Sequence, residues 1–347
     1  MKFSILIPTY NRAEELSRTL RSLSSQRTSH TWEVIVVDNN SRDHTREAVA
    51  EIARSFPVEV RYLFEPEQGK PAALNTGIAE SEAEVIAFTD DDHRFEPDWL
   101  EAAACGLDRF GCDYVGGKIL PIWGGPQPAW LSTESGRHRA VIGMADYGAE
   151  PFEFGKSPAM GGNLAVRREC FARTGMWDNR LGRRGNTLLG QEQREWCLRA
   201  REAGLRGVYL PDMVVYHLVP QERLDKRYFR RWFYWHGISR AILYQQFGLD
   251  MESPEETRLD FAQVPHIAGV PRYLFRTALR YAMATGQAVA RRDAAAAFDH
   301  ELWLWFFAGV VKQLSGRGSR STDDRGRKPA GEARPPRGTD KEAKSLS

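Results

Sequence analysis

The sequence predicts an α/β protein built on a mixed, mainly parallel sheet with helices on both faces, followed by a helical C-terminal extension. Two observations carry this. In the first half, short β-branched runs alternate with helical patterns, as stacked βα units do. From residue 221 to about residue 315, helical periodicity takes over.

The elements follow in order. Residues 3–9 (FSILIPT) and 32–38 (WEVIVVD) read as the first two strands, joined by a helix whose Leu16, Leu20 and Leu23 form one buried stripe. The cluster DNNSRD opens a second helix, with Val49, Ile52 and Phe56 inward. VEVRYLF and EVIAFTD are the third and fourth strands. Strand ends carry polar residues, at Thr9–Arg12, Asp38–Asn40 and Asp90–Asp92. Open parallel sheets bind ligands beyond the carboxyl ends of their strands, so these clusters point at one crevice. Residues 116–162 are rich in Gly, Pro and Trp and read as a loop-rich excursion on the acceptor side. A helix at QEQREWCLRAREAG and a late strand ending in His217 close a domain expected over residues 1–220. Helices fill 221–315, and the polar, Pro- and Gly-rich residues 316–347 are expected to be a disordered tail.

Composition narrows the function classes. A hydrophobic fraction of 42% with 27% charged residues is ordinary for a globular chain. A net charge of +2 gives no footprint for nucleic acid. The four cysteines lack metal-binding spacing and read as reduced, buried thiols. The N-terminal apolar run is too short for a signal peptide, so a cytoplasmic protein is expected. The run LWLWFFAGVV falls short of the roughly 20 residues of a spanning helix. It and the basic, aromatic RYFRRWFYWHG either pack as helices or rest on the inner face of a membrane as a peripheral contact.

The chemistry concentrates at FTDDDHRFEP, where a strand delivers three acids to its end. Clustered like charges are costly unless a cation or hydrogen-bond donors compensate them. Carboxylates suit Mg2+ or Mn2+, so Asp90 and Asp92 are either ion ligands or part of an acidic turn that caps the next helix.

With SILIPTYNR, VIVVDNNSRD, GKPAALNTGI, FTDDD, GGNLAVRRE, LLGQEQREWCLR and VYH in this order, the chain resembles family 2 glycosyltransferases of the glycosyltransferase A (GT-A) fold. That resemblance implies an inverting, metal-dependent hexosyl transfer from a nucleotide-sugar donor, a UDP-sugar by preference, to a hydroxyl acceptor on a glycan, a lipid-linked intermediate or a small molecule. By the same resemblance Pro8, Thr9, Tyr10, Asn11 and Arg12 hold the nucleoside, and Asp38, with Asn40 beside it, reads the uracil or ribose. Lys70, Asn75, Asp90 and Asp91 lie near the nucleotide and donor, while Gly161, Gly162 and Asn163 pass under the donor sugar. Asp92, Asp90 and the late His217 hold the ion, Mn2+ or Mg2+.

Glu192 matches the acid that serves as general base, and Glu195 stands in reserve unless it is a solvated or ion-paired helix residue. The sequence departs from the family's acidic pair at Gln193. An alternative is therefore a degenerate domain that binds nucleotide sugar as a sensor or scaffold. A nucleotidyltransferase is disfavoured because IPTYNR lacks a Gly-rich triphosphate loop, and a polymer-exporting synthase because spanning helices are not expected.

Overall fold

The computed structural model describes residues 1–155, 159–252, 257–260 and 263–315; the expected disordered tail at 316–347 lies outside the described residues. β1 (Lys2–Thr9), β2 (Thr31–Asp38), β3 (Val60–Phe64) and β4 (Val85–Thr89) run parallel in the order β3-β2-β1-β4. They are linked by α1 (Ala13–Leu23), α2 (Thr45–Ala53) and α3 (Lys70–Glu80). Alternation along β1 sorts side chains to two faces. Phe3, Ile5 and Ile7 join Leu16, Leu20 and Leu23 of α1 on one, while Leu6 joins Ala73, Leu74 and Ile78 of α3 on the other. The three α1 leucines are wholly buried, each worth about 1.5–3 kcal/mol against exposure. A side chain at Gly77 would collide with Leu6, so glycine sets the approach of α3 to the sheet.

The sheet continues β4-β8-β6-β9-β5 through β5 (His93–Phe95), β6 (Tyr114–Trp123), β8 (Asn163–Arg167) and β9 (Gly207–Val219), with the short β7 (Phe152–Glu153) also on β9. The β6–β9 ladder is parallel and the others in this half are antiparallel. α4 (Trp99–Phe110), α5 (Gly136–Ile142), α6 (Cys170–Thr174) and α7 (Glu192–Glu202) accompany these strands.

Two expectations change here. Residues 116–162 contain β6 and α5 rather than loop alone. Gly117, read as a turn signal, lies where the backbones of β6 and β9 meet: a methyl there would strike the Met213 carbonyl. The thiols of Cys112, Cys170 and Cys197 are buried and reduced, but Cys105 is exposed on α4.

The sheet is rolled. Thr89 ends β4 and His93 opens β5, yet three strands separate β4 from β5. Four residues reach at most ~14 Å, whereas four strand spacings measure about 19 Å in a flat sheet. The acid run crosses the gap that this curvature closes.

Beyond β9 come a 3-10 turn at Gln221–Arg223, α8 (Lys226–Phe247), the hairpin β10 (His266–Ile267) and β11 (Val270–Pro271), α9 (Arg272–Ala290) and α10 (Ala294–Ser315). They share an aromatic core that includes Phe229, Phe233, Phe298, Leu302, Trp303, Phe306 and Val310. The apolar run of α10 is thus spent largely on helix packing. α8 and α10 cross closely at two glycines, since a methyl on Gly237 would strike the Phe306 carbonyl and one on Gly309 the Tyr234 carbonyl. Among the described residues, no helix is long and apolar enough to cross a membrane.

Candidate active site

β1 and β4 end side by side, which brings Thr9 and Arg12 onto the acid run. Thr9 Oγ1 donates to Asp91 Oδ2 at 2.8 Å, and Arg12 donates to Asp91 Oδ1 at 2.6 Å and Asp92 Oδ2 at 3.0 Å. Lys70, at the start of α3, donates to Asp90 Oδ1. Burial opposes the charge of Asp90, but Lys70 and His93 outweigh it and hold its carboxyl below the usual range. Burial pushes Asp91 up to about 6 despite Arg12. Burial also works against Asp92, yet His217, Arg12 and His93 hold it well below the ordinary value.

Asp90, Asp92 and His93 offer ligand atoms that all lie within 4.8 Å of one another. Asp92 Oδ1 is buried and has no hydrogen-bond partner. Such an atom costs about 1–3 kcal/mol or more, and a cation would relieve that cost. His93 Nδ1 lies 2.9 Å from the Thr89 hydroxyl, leaving Nε2 turned toward Asp92 Oδ1 at 4.0 Å. Burial lowers His93 to about 4, so the imidazole is neutral near pH 7, as a ligand must be. The residues present therefore fit a divalent ion.

His217 faces His93 across the β5–β9 ladder, with ring centroids 5.5 Å apart. Its Nδ1 lies 2.8 Å from the Ile142 carbonyl, and its Nε2 is 3.5 Å from Asp92 Oδ2 and 3.2 Å from an Arg223 nitrogen. The compact triad thus adds His93 to the expected Asp90 and Asp92, while His217 lies beside Asp92 with Arg223 and lines the same cleft. Sequence reasoning passed over His93 although it follows the acid run directly. Nothing in the sequence marks Arg223, six residues beyond His217.

The opposite wall is the start of α7. Gln191, its N-cap, has φ 77°, a left-handed conformation that non-glycine residues adopt at a cost of order 1 kcal/mol. Glu192 follows and lines the cleft, while the Gln193 side-chain oxygen accepts the Gly161 N–H at 2.6 Å. Gln193 therefore holds the segment that Gly161 and Gly162 bring to the cleft. Glu195 turns away: it is buried and pairs with Arg199 through two bonds of 2.7 Å. That arrangement is ion pairing, and it leaves Glu195 outside the cleft.

These walls enclose a cavity of about 620 Å³ lined by Pro8, Thr9, Tyr10, Arg12, Lys70, Asp90, Asp91, Asp92, Gly162, Glu192 and His217 among the expected residues. Asn39, Gln68, Arg183, Arg184, Arg231 and Trp232 also line it. Other expected donor residues support the cleft without lining it. Asp38 is buried, accepting from Tyr62 Oη at 2.7 Å and from Ser41 N–H at 2.8 Å. Asn11 and Asn40 have φ 52° and 67° and shape their loops, Asn11 by accepting the Arg42 N–H at 2.6 Å.

Two residues are placed differently from expectation. The Asn75 amide donates to the Trp177 carbonyl and accepts the Trp177 N–H, both at 2.9 Å. Asn163 is wholly buried: it donates to the carbonyls of Lys118 at 2.9 Å and Met213 at 2.8 Å and accepts from Trp99 Nε1 at 2.8 Å. The bulge between Gly117 and Lys118 interrupts the β6–β9 ladder there, and the amide supplies donors to its carbonyls.

The model of Glycosyl transferase family 2 matches residues 4–173. The chain is 28% identical over 232 residues to Glycosyltransferase AglE of Haloferax volcanii, covering 65% of this chain and 70% of that protein. It is 25% identical over 247 residues to the glucosyl-dolichyl phosphate glucuronosyltransferase of the same organism, covering 70% and 77%. A solved mannosyltransferase of Pyrobaculum calidifontis, in complex with GDP-Man and Mn2+, shares the fold at TM-score 0.58 and 21% identity, over 91% of this chain and 87% of that one. The rolled α/β sheet, the order of its strand-end motifs and these likenesses agree: residues 4–173 of the chain form a glycosyl transferase family 2 domain, on the GT-A fold of the nucleotide-sugar transferases.

Proposed function

We propose that this cleft moves one sugar, with inversion at the anomeric carbon, from a UDP-sugar or similar nucleotide-diphosphate donor to a hydroxyl acceptor, with Mn2+ or Mg2+ held by Asp90, Asp92 and His93. The observation that carries the reading is the partnerless, buried Asp92 Oδ1 in the same cleft as Glu192. A bound divalent ion supplies positive charge against the departing diphosphate. Glu192 takes the proton of the acceptor hydroxyl as it attacks from the face opposite the leaving group. One carboxylate suffices for such a single displacement, so Gln193 is no obstacle. Lys70 and Arg12 keep the acid run neutral enough to admit an anionic donor, and the Pro8–Arg12 loop with Asn39 bounds the nucleoside end.

The acceptor we favour carries a phosphate of its own, as a lipid-linked glycosyl phosphate does. Seven cationic side chains line the cleft (Arg12, Lys70, Arg183, Arg184, Arg194, Arg223 and Arg231) against four carboxylates, those of Asp90, Asp91, Asp92 and Glu192. The ion adds two charges and the diphosphate removes about two, so the loaded cleft keeps an excess of about three positive charges.

The test is Asp92→Ala. Metal-dependent turnover of the donor should vanish while the melting temperature stays within a few degrees of the parent; unchanged turnover sinks the assignment. A thermal-shift screen of nucleotide sugars with and without Mn2+ identifies the donor, because a ligand of the native state raises the melting temperature. Donor binding with no turnover for any acceptor would instead mark a sensor or scaffold.

A further inference from the structure

We infer that the outward face of α9 docks on an anionic lipid bilayer. α9 buries Leu274 and Thr277 and packs Tyr273, Phe275, Ala278 and Tyr281 on the helical core, so its other side meets solvent. There Leu279 and Met283 are 61% and 54% exposed, among the highest values for large apolar side chains in the described residues; Val289, 63% exposed, lies off this face in the last turn. Arg272, Arg276 and Arg280 recur at four-residue spacing, and Arg291 and Arg292 follow the last turn. At 100° per residue, Arg272, Arg276, Leu279, Arg280 and Met283 share one arc of the helix.

All five arginines are exposed, and none forms an ion pair among the described residues; Arg280 lies over the Tyr281 ring at 5.3 Å. No Asp or Glu occurs from residue 261 to residue 292, in a chain whose Asp and Glu total 46. Of the nearby acids, Glu252 accepts from Thr277 on the packed side and also feels the charge of Arg280, and Asp293 caps α10 through the Ala296 N–H at 2.9 Å.

Charge complementarity selects the occupant. Guanidinium groups reach the phosphates of a bilayer while Leu279 and Met283 enter the acyl boundary. A second copy would set five arginines against five. Nucleic acid would satisfy the arginines but leave the apolar side chains wet. The face is also placed usefully: the Tyr281 hydroxyl accepts from Arg137 of α5, and α5 lines the cleft through Ala140 and Val141. A bilayer under α9 would therefore be separated from the cleft by two helices, α9 and α5.

The experiment is flotation of the full chain with vesicles of phosphatidylcholine alone and of equal parts phosphatidylcholine and phosphatidylglycerol, at low and high salt. Binding is expected only to the anionic vesicles. Arg276→Gln with Arg280→Gln should weaken it about 30-fold, and Leu279→Ser with Met283→Ser should remove what survives high salt. Both double variants should keep the parent melting temperature and its donor turnover in solution, because all four positions are exposed and outside the cleft. Equal binding to neutral vesicles, or parent-like binding by both variants, overturns the inference. So does a dimer lost in the Ser variant without vesicle binding, which assigns the face to a second copy. Oligonucleotide binding lost in the Gln variant and kept in the Ser variant assigns it to nucleic acid.

Discussion

Gln193 stands where the family's motif carries a second acid, and its amide oxygen takes the Gly161 N–H that a carboxylate could also take. The amide does this without adding a negative charge beside Glu192. Gln193→Ala removes a bond worth about 1 kcal/mol; the expected result in steady-state kinetics is a several-fold rise in donor KM with kcat little changed. Glu192→Gln should do the reverse, lowering kcat by about 10²–10⁴ with donor affinity kept, as loss of a general base does. Parent-like turnover in that variant would move the base elsewhere. At this scale the sequence was legible where side chains are contiguous: that Asp90–Asp92 and Glu192 share one cleft could be read from their runs. Asn163 and Asn75 were not, because a buried amide and a ligand-binding amide look alike until the carbonyls around them are known.

Among the elements, the α8–α10 crossing makes the sharpest prediction. Gly309→Ala puts a methyl into the Tyr234 carbonyl, so the two helices must separate along a buried aromatic seam. A cost of about 3 kcal/mol is expected, at the upper end of ordinary overpacking, read as a lower midpoint in denaturant. Wild-type stability would mean that the helices adjust freely. Gly286, exposed on α9 with open space around it, is the control that should tolerate alanine. The sequence left the apolar run of α10 open between packing and interface because periodicity gives a stripe and not its partner. In β6, Gly117 carried a turn signal that was in truth close approach to β9, and only the neighbouring strand distinguishes the two.

For the molecule as a whole, acid should act through the helical core. Burial first, then Arg240 and Arg194, lowers His236 to about 3 where it stacks on Trp232 and touches Phe306. Its folded value lies below the unfolded one near 6.5, so the unfolded chain binds the proton first. The stability it contributes is therefore complete above about pH 6.5 and is lost as pH falls toward 3, by up to about 1.4 kcal/mol per pH unit. His236→Phe should flatten that acid limb in denaturation curves taken from pH 7 to 4; an unchanged slope assigns it to other groups. The parallel half of the sheet was legible from its alternating units, whereas the order β8-β6-β9-β5 rests on pairings between distant segments that no local pattern encodes.

The short crossing from β4 to β5 makes the acid run a hinge pin of the sheet. Whatever settles between Asp90, Asp92 and His93 pulls together the middle of the sheet and its far edge, so ligation acts as a clasp on the curvature. Hydrogen exchange should then slow, on addition of Mn2+ and donor, most at β5 and the paired part of β9, with β2 and β3 indifferent. Uniform slowing across all strands would mean that the sheet feels the ligand only through global stability.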